Sequence, residues 1–313
     1  MPCLGLALVL VVLGPGPADA RAKFSGEFLE VGAGARALGM GGAFVAISDD
    51  ATAGTWNPAG LTRIPGREVH AQHAELFGGL VRHDQISFGG TIGGVGSVGF
   101  SLLRVGVDNI PVTVLEDPTR PIGPDNRPVR VGEVGTADYA VHLSYAHSAR
   151  RGLAVGGSIK LIRRKTSFGT GFGYGVDVGV IGELLPGLSY GLVLRDMTKS
   201  RITYSNAATD RISPTALLGA AYTRQVPAAR GRFTGSWSVS IGRDAVSIEE
   251  GRRFNFGLEY SYREQIALRL GAQERRFTAG GGIRFHKKFG VDLAFLSHED
   301  LERSYRISAK AQF

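Results

Sequence analysis

Residues 171–181 read GFGYGVDVGVI. Phe172, Tyr174, Val176, Val178 and Val180 alternate here with Gly171, Gly173, Gly175, Asp177 and Gly179, and a period of two belongs to an extended strand, not to a helix. One face of that strand is aromatic and branched; the other is glycine broken by one charge. Segments of this kind run about ten residues, the length a tilted strand needs to cross a bilayer, whereas strands of soluble sheets run nearer five or six. The apolar set is therefore expected to meet lipid and the small, polar set to face a lumen.

The same alternation recurs along the chain in Phe254, Phe256, Leu258, Tyr260 and Tyr262, in Phe233, Trp237, Val239 and Ile241, and in Phe289, Val291, Leu293 and Phe295. It predicts strands over 67–76, 82–92, 95–104, 136–147, 152–163, 170–183 and 187–196. Seven more are predicted over 213–225, 232–243, 252–262, 265–273, 276–286, 288–297 and 303–313. The count comes to about fourteen, an even number that closes antiparallel. The turns after every second strand are brief, and the long connections, 105–135 with its five prolines and 197–212, both have the opposite parity. Such barrels have short periplasmic turns and longer external loops. The fold class is all-β: a transmembrane antiparallel β-barrel of residues 67–313, with residues 21–66 as an N-terminal helical or irregular plug inside the lumen.

Composition removes the competing classes. Hydrophobic residues reach 43% and charged residues only 20%, yet beyond the first twenty residues no apolar run approaches the roughly 18 a membrane helix requires. The 46 glycines show no three-residue period and are interleaved with aromatics, which argues against collagen and disorder. The net charge of +8 is spread through strands and turns rather than gathered with stacking aromatics, so no nucleic-acid partner is expected; phosphates of outer-membrane lipid or lipopolysaccharide are the expected counterions. An apolar run from Leu4 to Leu13 followed by Ala18-Asp19-Ala20 reads as a cleaved export signal over 1–20, although the positive n-region is missing. Cys3 is the one cysteine, so the exported chain relies on backbone pairing and burial rather than on disulfides.

The inward set includes Asp138, His142, Lys160, Asp177, Glu259, Arg269, Arg284, Asp292, Arg306 and Lys310. Charges of both signs can pair inside a lumen but not in hydrocarbon. The last strand places Tyr305, Ile307, Ala309, Ala311 and Phe313 on one face, and a final aromatic in phase with its strand resembles the terminal signal read by the barrel-assembly machinery.

Residues 21–66 break the alternation. A fourteen-strand barrel is wider than the eight-strand kind that side chains can fill, and this glycine- and alanine-rich segment is available to plug it. Ser48 or Asp49 is expected to cap a short helix beginning near Asp50, which Asn57-Pro58 must stop; the small residues before Trp56 permit close backbone packing. The stretch ARALGMGGAFVAISDDATAGTWNPAGL, from Ala35 to Leu61, resembles the N-terminal signature of the PorV/PorQ family, related to the FadL family of long-chain fatty-acid transporters. The resemblance implies a fourteen-strand barrel with an N-terminal hatch in which Asp49, Asp50, Asn57, Pro58, Ala59 and Gly60, together with Trp56, form the plug. It implies passive transport of hydrophobic or amphipathic molecules, or alternatively a component of type IX secretion whose clients are exported proteins; a structural surface barrel is the third class.

Motifs of catalysis are set aside on context. Gly187-Leu188-Ser189-Tyr190-Gly191 matches a nucleophile elbow, but Ser189 faces inward on a wall strand with no helix after it. Gly94 to Gly99 and Gly32 to Ala37 fit dinucleotide fingerprints but lie in a hairpin turn and in the plug rather than in a parallel unit. His70 and His73 fall on opposite faces of a strand and cannot share a metal. No enzyme activity, cofactor or metal is expected.

Overall fold

The computed structural model describes residues 26–93, 96–166, 169–242, 252–286, 288–298 and 302–313. The expected signal over 1–20 lies outside the described residues, as do residues 94 and 95 in the first of the brief turns.

Among the described residues, sixteen strands form one sheet. They are β1 (Arg67–Leu76), β2 (Val81–Ile92), β3 (Gly96–Leu115), β4 (Pro128–Arg150), β5 (Leu153–Thr166), β6 (Gly169–Leu185), β7 (Leu188–Arg195), β8 (Arg201–Tyr204) and β9 (Thr209–Arg211). After them come β10 (Thr215–Val226), β11 (Gly231–Gly242), β12 (Arg252–Tyr262), β13 (Ile266–Gln273), β14 (Arg276–Phe285), β15 (Phe289–Leu296) and β16 (Ser304–Gln312). β8 and β9 are a short hairpin that pairs only at the outer end of β6, and β7 pairs directly with β10. Setting those two aside leaves fourteen antiparallel wall strands in a closed barrel. The ring shuts where β1 meets β16, in register from Glu68↔Gln312 to Glu75↔Tyr305.

The outward faces are those the alternation assigns. Phe172, Tyr174, Trp237, Phe256, Leu268 and Leu293 are all exposed, and an exposed band of large apolar side chains around a sheet with a polar interior is stable in lipid, not in water. Among the described residues no helix is long and apolar enough to cross a membrane; the crossing belongs to the strands.

Two connections differ from expectation. Residues 105–135 are not an irregular proline-rich loop: β3 and β4 continue as a two-stranded ribbon beyond Arg82↔Gly106 and Ala137↔Lys165, the last pairs that β2 and β5 supply. Pro111 and Pro128 read as breakers but sit in this ribbon, and register shifts bracket Pro111. A ribbon has an unpaired edge on each side and bulges where pairing lapses, so a missing N–H is tolerated there. Residues 197–212 carry the β8–β9 hairpin, folded back over β6.

The N-terminal segment lies against the inward faces of the wall. It consists of three one-turn helices, α1 (Glu27–Glu30), α2 (Ala35–Gly39) and α3 (Ala53–Trp56), and a 3-10 helix, Pro58–Arg63. Every residue from Ala33 to Ser48 is buried. Leu38, Met40, Phe44 and Trp56 form its own apolar centre. Glycines on the wall let its backbone come close: a Cβ at Gly257 of β12 would stand 2.5 Å from the Met40 carbonyl oxygen, and one at Gly156 of β5 would stand 2.6 Å from the Ala59 nitrogen. The inward glycine of the strand pattern is thus the space the segment occupies.

Candidate lumenal site

The expected helix cap is placed differently. Asp50 Oδ1 accepts from the Thr52 backbone N–H at 3.0 Å and closes a turn ahead of α3, whose N-cap is Thr52 without a side-chain bond. Ser48 donates back to the Phe44 carbonyl at 2.8 Å, and Asp49 turns to Arg36. Neither Ser48 nor Asp49 caps the helix, because each has a stronger partner deeper in the segment. Asn57 and Pro58 do end it. Buried Asn57 accepts from the Ala59 N–H at 3.2 Å and donates to the Val45 and Val180 carbonyls at 3.0 Å each, tying the segment to itself and to β6. Trp56 donates to the Ala33 carbonyl at 2.8 Å, and Ala59 and Gly60 are buried in the 3-10 turn.

Toward the rim of short turns, an alternating chain of charges joins segment to wall. Arg36 donates to both carboxylate oxygens of Glu259, at 2.8 and 3.0 Å, and also reaches Asp49. Arg269 donates to Glu259 at 2.7 Å and to Asp292 at 2.7 Å. Glu259, Arg269 and Asp292 are buried; each carboxylate has an arginine, which is the condition under which buried charge persists. Arg284 lines a small recess beside Glu259, Arg269 and Asp292. Arg36 sits in the glycine-rich run, where no periodicity marks it, so sequence reading passed over the residue at the centre of the network.

Toward the rim of long loops the segment stops short of filling the barrel. A cavity open toward that rim is bounded below by Ala33, Leu38 and Trp56 and at the sides by Leu103, Ile212 and Leu217. Its polar wall includes Lys160, which lies 3.0 Å from Asp177 and 2.7 Å from Asp196. Asp196 in turn accepts from Ser200 and, through its backbone N–H, donates to Asp177 at 2.8 Å. Lys160 and Asp177 were expected inward; Asp196 was not, since a strand over 187–196 with Ser189 inward sets it outward, whereas β7 ends at Arg195 and the positive φ of 52° at Asp196 breaks that parity. Above the cavity, Asp138 takes two bonds of 3.0 Å from Arg164. Glu30 of α1 stands between Arg195, 3.6 Å away, and Arg253, 3.3 Å away. The arrangement is a recess with an apolar floor, a mostly paired polar rim and the N-terminal segment packed beneath it.

The motifs set aside have structural occupations. Ser189 Oγ donates to the Ala46 carbonyl at 3.0 Å. His70 is buried inside while His73 is outside, 2.7 Å from Asp84. At the closing strand, Tyr305 and Ile307 are exposed on the outer face and Phe313 exchanges backbone hydrogen bonds with Arg67, 2.9 and 3.3 Å.

A family model described as Uncharacterised protein family (UPF0164) matches residues 17–174. No curated protein matches the chain. Among solved structures, the chain is similar to the Ralstonia pickettii toluene transporter TbuX, with 13% identity, a TM-score of 0.57, and coverage of 90% of this chain and 98% of that one. The Pseudomonas putida toluene transporter TodX gives the same identity and TM-score, covering 84% of this chain and 94% of that one. A Pseudomonas aeruginosa FadL homologue gives 10% identity and a TM-score of 0.52 over 88% of this chain and 96% of that one. At these identities the likeness is one of fold: a FadL-like barrel.

Proposed function

We propose that this chain, which belongs to the UPF0164 family, is a passive outer-membrane channel for hydrophobic or amphipathic small molecules, with residues 26–66 acting as its hatch. The observation that carries the reading is the apolar-floored cavity open toward the long loops and closed below by Trp56 and Leu38. A porin for polar solutes has no use for such a floor, since burying an apolar ligand there is where its binding free energy comes from. The structural neighbours titled toluene transporters support the same class of cargo. No reaction is part of this reading. Short turns then face the periplasm and long loops the outside, with lipid and lipopolysaccharide around the belt. The assembly machinery would read Tyr305, Ile307 and Phe313.

The test uses toluene as probe. Cells whose outer membrane carries the full chain should accumulate it faster than cells lacking the protein, and removal of residues 24–61 should leave a folded barrel that conducts ions freely in planar bilayers. Equal accumulation, or unchanged low conductance in the truncated barrel, sinks the respective half of the reading.

The finer resemblance of Ala35 to Leu61 to PorV/PorQ supports a second reading, a type IX secretion component with exported proteins as clients. Deletion of the gene distinguishes the two: it would trap sorting-domain proteins in the periplasm under the secretion reading and leave them unaffected under the channel reading.

A further inference from the structure

The N-terminal segment does not meet the wall equally all round. Close-approach glycines face its residues on β2, β3, β5, β6, β7, β10, β12, β13 and β14. On β16 and β1, where the ring closes, the inward face instead carries long polar side chains. The register stacks them in rungs across β16, β1 and β2: Arg306–Ala74–His83, then Ser308–Gln72–Gln85, then Lys310–His70–Ser87, and last Gln312–Glu68–Gly89 at the periplasmic end. With about 6.7 Å between successive inward residues of a strand, the four rungs span about 20 Å.

These groups are buried yet incompletely bonded. Among the described residues, His83 Nε2, Arg306 Nε, Gln72 Oε1, Gln85 Oε1 and His70 Nδ1 have no hydrogen-bond partner, although each residue is at least 95% buried. One unpaired buried polar atom costs about 1–3 kcal/mol, so a row of five on one seam is unlike a settled core, where such groups are nearly all paired. The row also connects. Gln85 lines the cavity above, as does His142, whose Nδ1 is unpaired too. At the lower end the pattern stops: Glu68 accepts from the Ala51 N–H at 2.9 Å and from Gln312 at 2.8 Å, clamping the segment to the wall.

We infer that the β16–β1–β2 seam is a polar track for the headgroup of an amphipathic ligand, running from the cavity to the periplasmic end and gated by Glu68. The inference rests on the channel reading and deepens it by naming the cargo as apolar molecules bearing a neutral hydrogen-bonding head, such as an alcohol. Acceptors (Gln72 Oε1, Gln85 Oε1) stand between donors (Arg306 Nε, and His83 Nε2, whose ring accepts from Arg306 at Nδ1) and the His70 imidazole, so a hydroxyl finds a partner at each of the three upper rungs. At the three upper rungs no wall glycine seats the segment's backbone, so it yields there; at the lowest rung Gly89 lies against Ala51, and the Glu68 clamp beside it is what must release.

The test compares 1-octanol with octane, which differ by one hydroxyl, in cells carrying the full chain. Gln72→Leu with Gln85→Leu should slow octanol uptake about tenfold, the loss of roughly two hydrogen bonds, and change octane uptake much less. Glu68→Ala should raise octanol uptake several-fold. Heat-modifiable electrophoretic mobility checks that each variant is a folded barrel. If octanol and octane fall together, the glutamines only pack and the track is wrong; if neither falls, the ligand travels elsewhere and the track is equally wrong. Wild-type cells that take up neither molecule faster than cells without the protein would remove the channel reading itself, and the track with it.

Discussion

Arg36 of the N-terminal segment grips Glu259 of β12 with two hydrogen bonds, 2.8 and 3.0 Å long. The contact spans 223 residues of sequence and joins the part of the chain that fills the bore to the part that forms it. Removing Arg36 takes two of the hydrogen bonds on Glu259, which keeps Arg269 at 2.7 Å, and takes the cation from Asp49, so the loss falls on the segment's side of the contact. Arg36→Ala should therefore loosen the segment while the wall, held by backbone pairing, stays intact. Planar-bilayer recordings should show larger and more frequent openings, with normal electrophoretic mobility of the barrel; a closed channel would mean that the segment is held elsewhere.

Close approach makes a second prediction. Gly257→Val places a branched side chain where Met40 O leaves 2.5 Å for a Cβ. Overpacking of this kind costs about 1–3 kcal/mol, and here it falls on the segment, since the outward face of β12 is untouched. The variant should conduct more than wild type and expose Met40 to oxidation by added peroxide, followed by mass spectrometry. Gly235, which faces outward beside Phe233 and Leu258, is the control position and should tolerate alanine.

What the sequence revealed follows from what a period can encode. Phe172 and Tyr174, or Phe254 and Phe256, declare a face by alternation alone, so the wall strands and the inward Lys160, Asp177, Glu259 and Asp292 were legible. Arg36 was not, because one-turn helices amid glycine and alanine carry no period. Asp196 was not, because alternation from Ser189 sets it outward, and only its positive φ just past the end of β7 turns it to Lys160. Pro111 and Pro128 misled for a physical reason: proline forbids a central strand, but the β3–β4 ribbon has two edges and bulges that admit it. The polar seam lay in plain alternation in β1, yet its unpaired atoms exist only once β16 and β2 are laid beside it.

Lys160 lies between two buried carboxylates, 3.0 Å from Asp177 and 2.7 Å from Asp196. Lys160→Met would leave those carboxylates facing each other without a cation, at a cost of about 3–5 kcal/mol. The strain falls on Asp196, which lies past the end of β7 and also holds Ser200 and so the start of the β8–β9 connection. Cells bearing the variant should show cleavage within 197–212 by externally added protease while the barrel remains folded. Resistance equal to wild type would show that β8 on β6 suffices to hold the loop.

Acid should release the segment only late. Burial on its own raises the Asp49 carboxyl, but the Arg36 guanidinium beside it outweighs burial and holds it below the ordinary carboxylate range. A depressed carboxyl stabilises the docked state fully above its undocked value, about 3.9 for aspartate, and that contribution is lost as pH falls through the lower, docked value. The part of the conductance that Asp49 controls should therefore be the same at pH 7 and pH 5 and rise only below about pH 4. Asp49→Asn removes the titrating group while keeping the side chain's shape, so it should open somewhat more at neutral pH and lose its share of the acid step. Recording both proteins from pH 7 to pH 3 decides the matter: an acid step of the same size in the Asp49→Asn variant would assign the release to another carboxylate, whereas a flattened one places it on the Arg36–Asp49 contact.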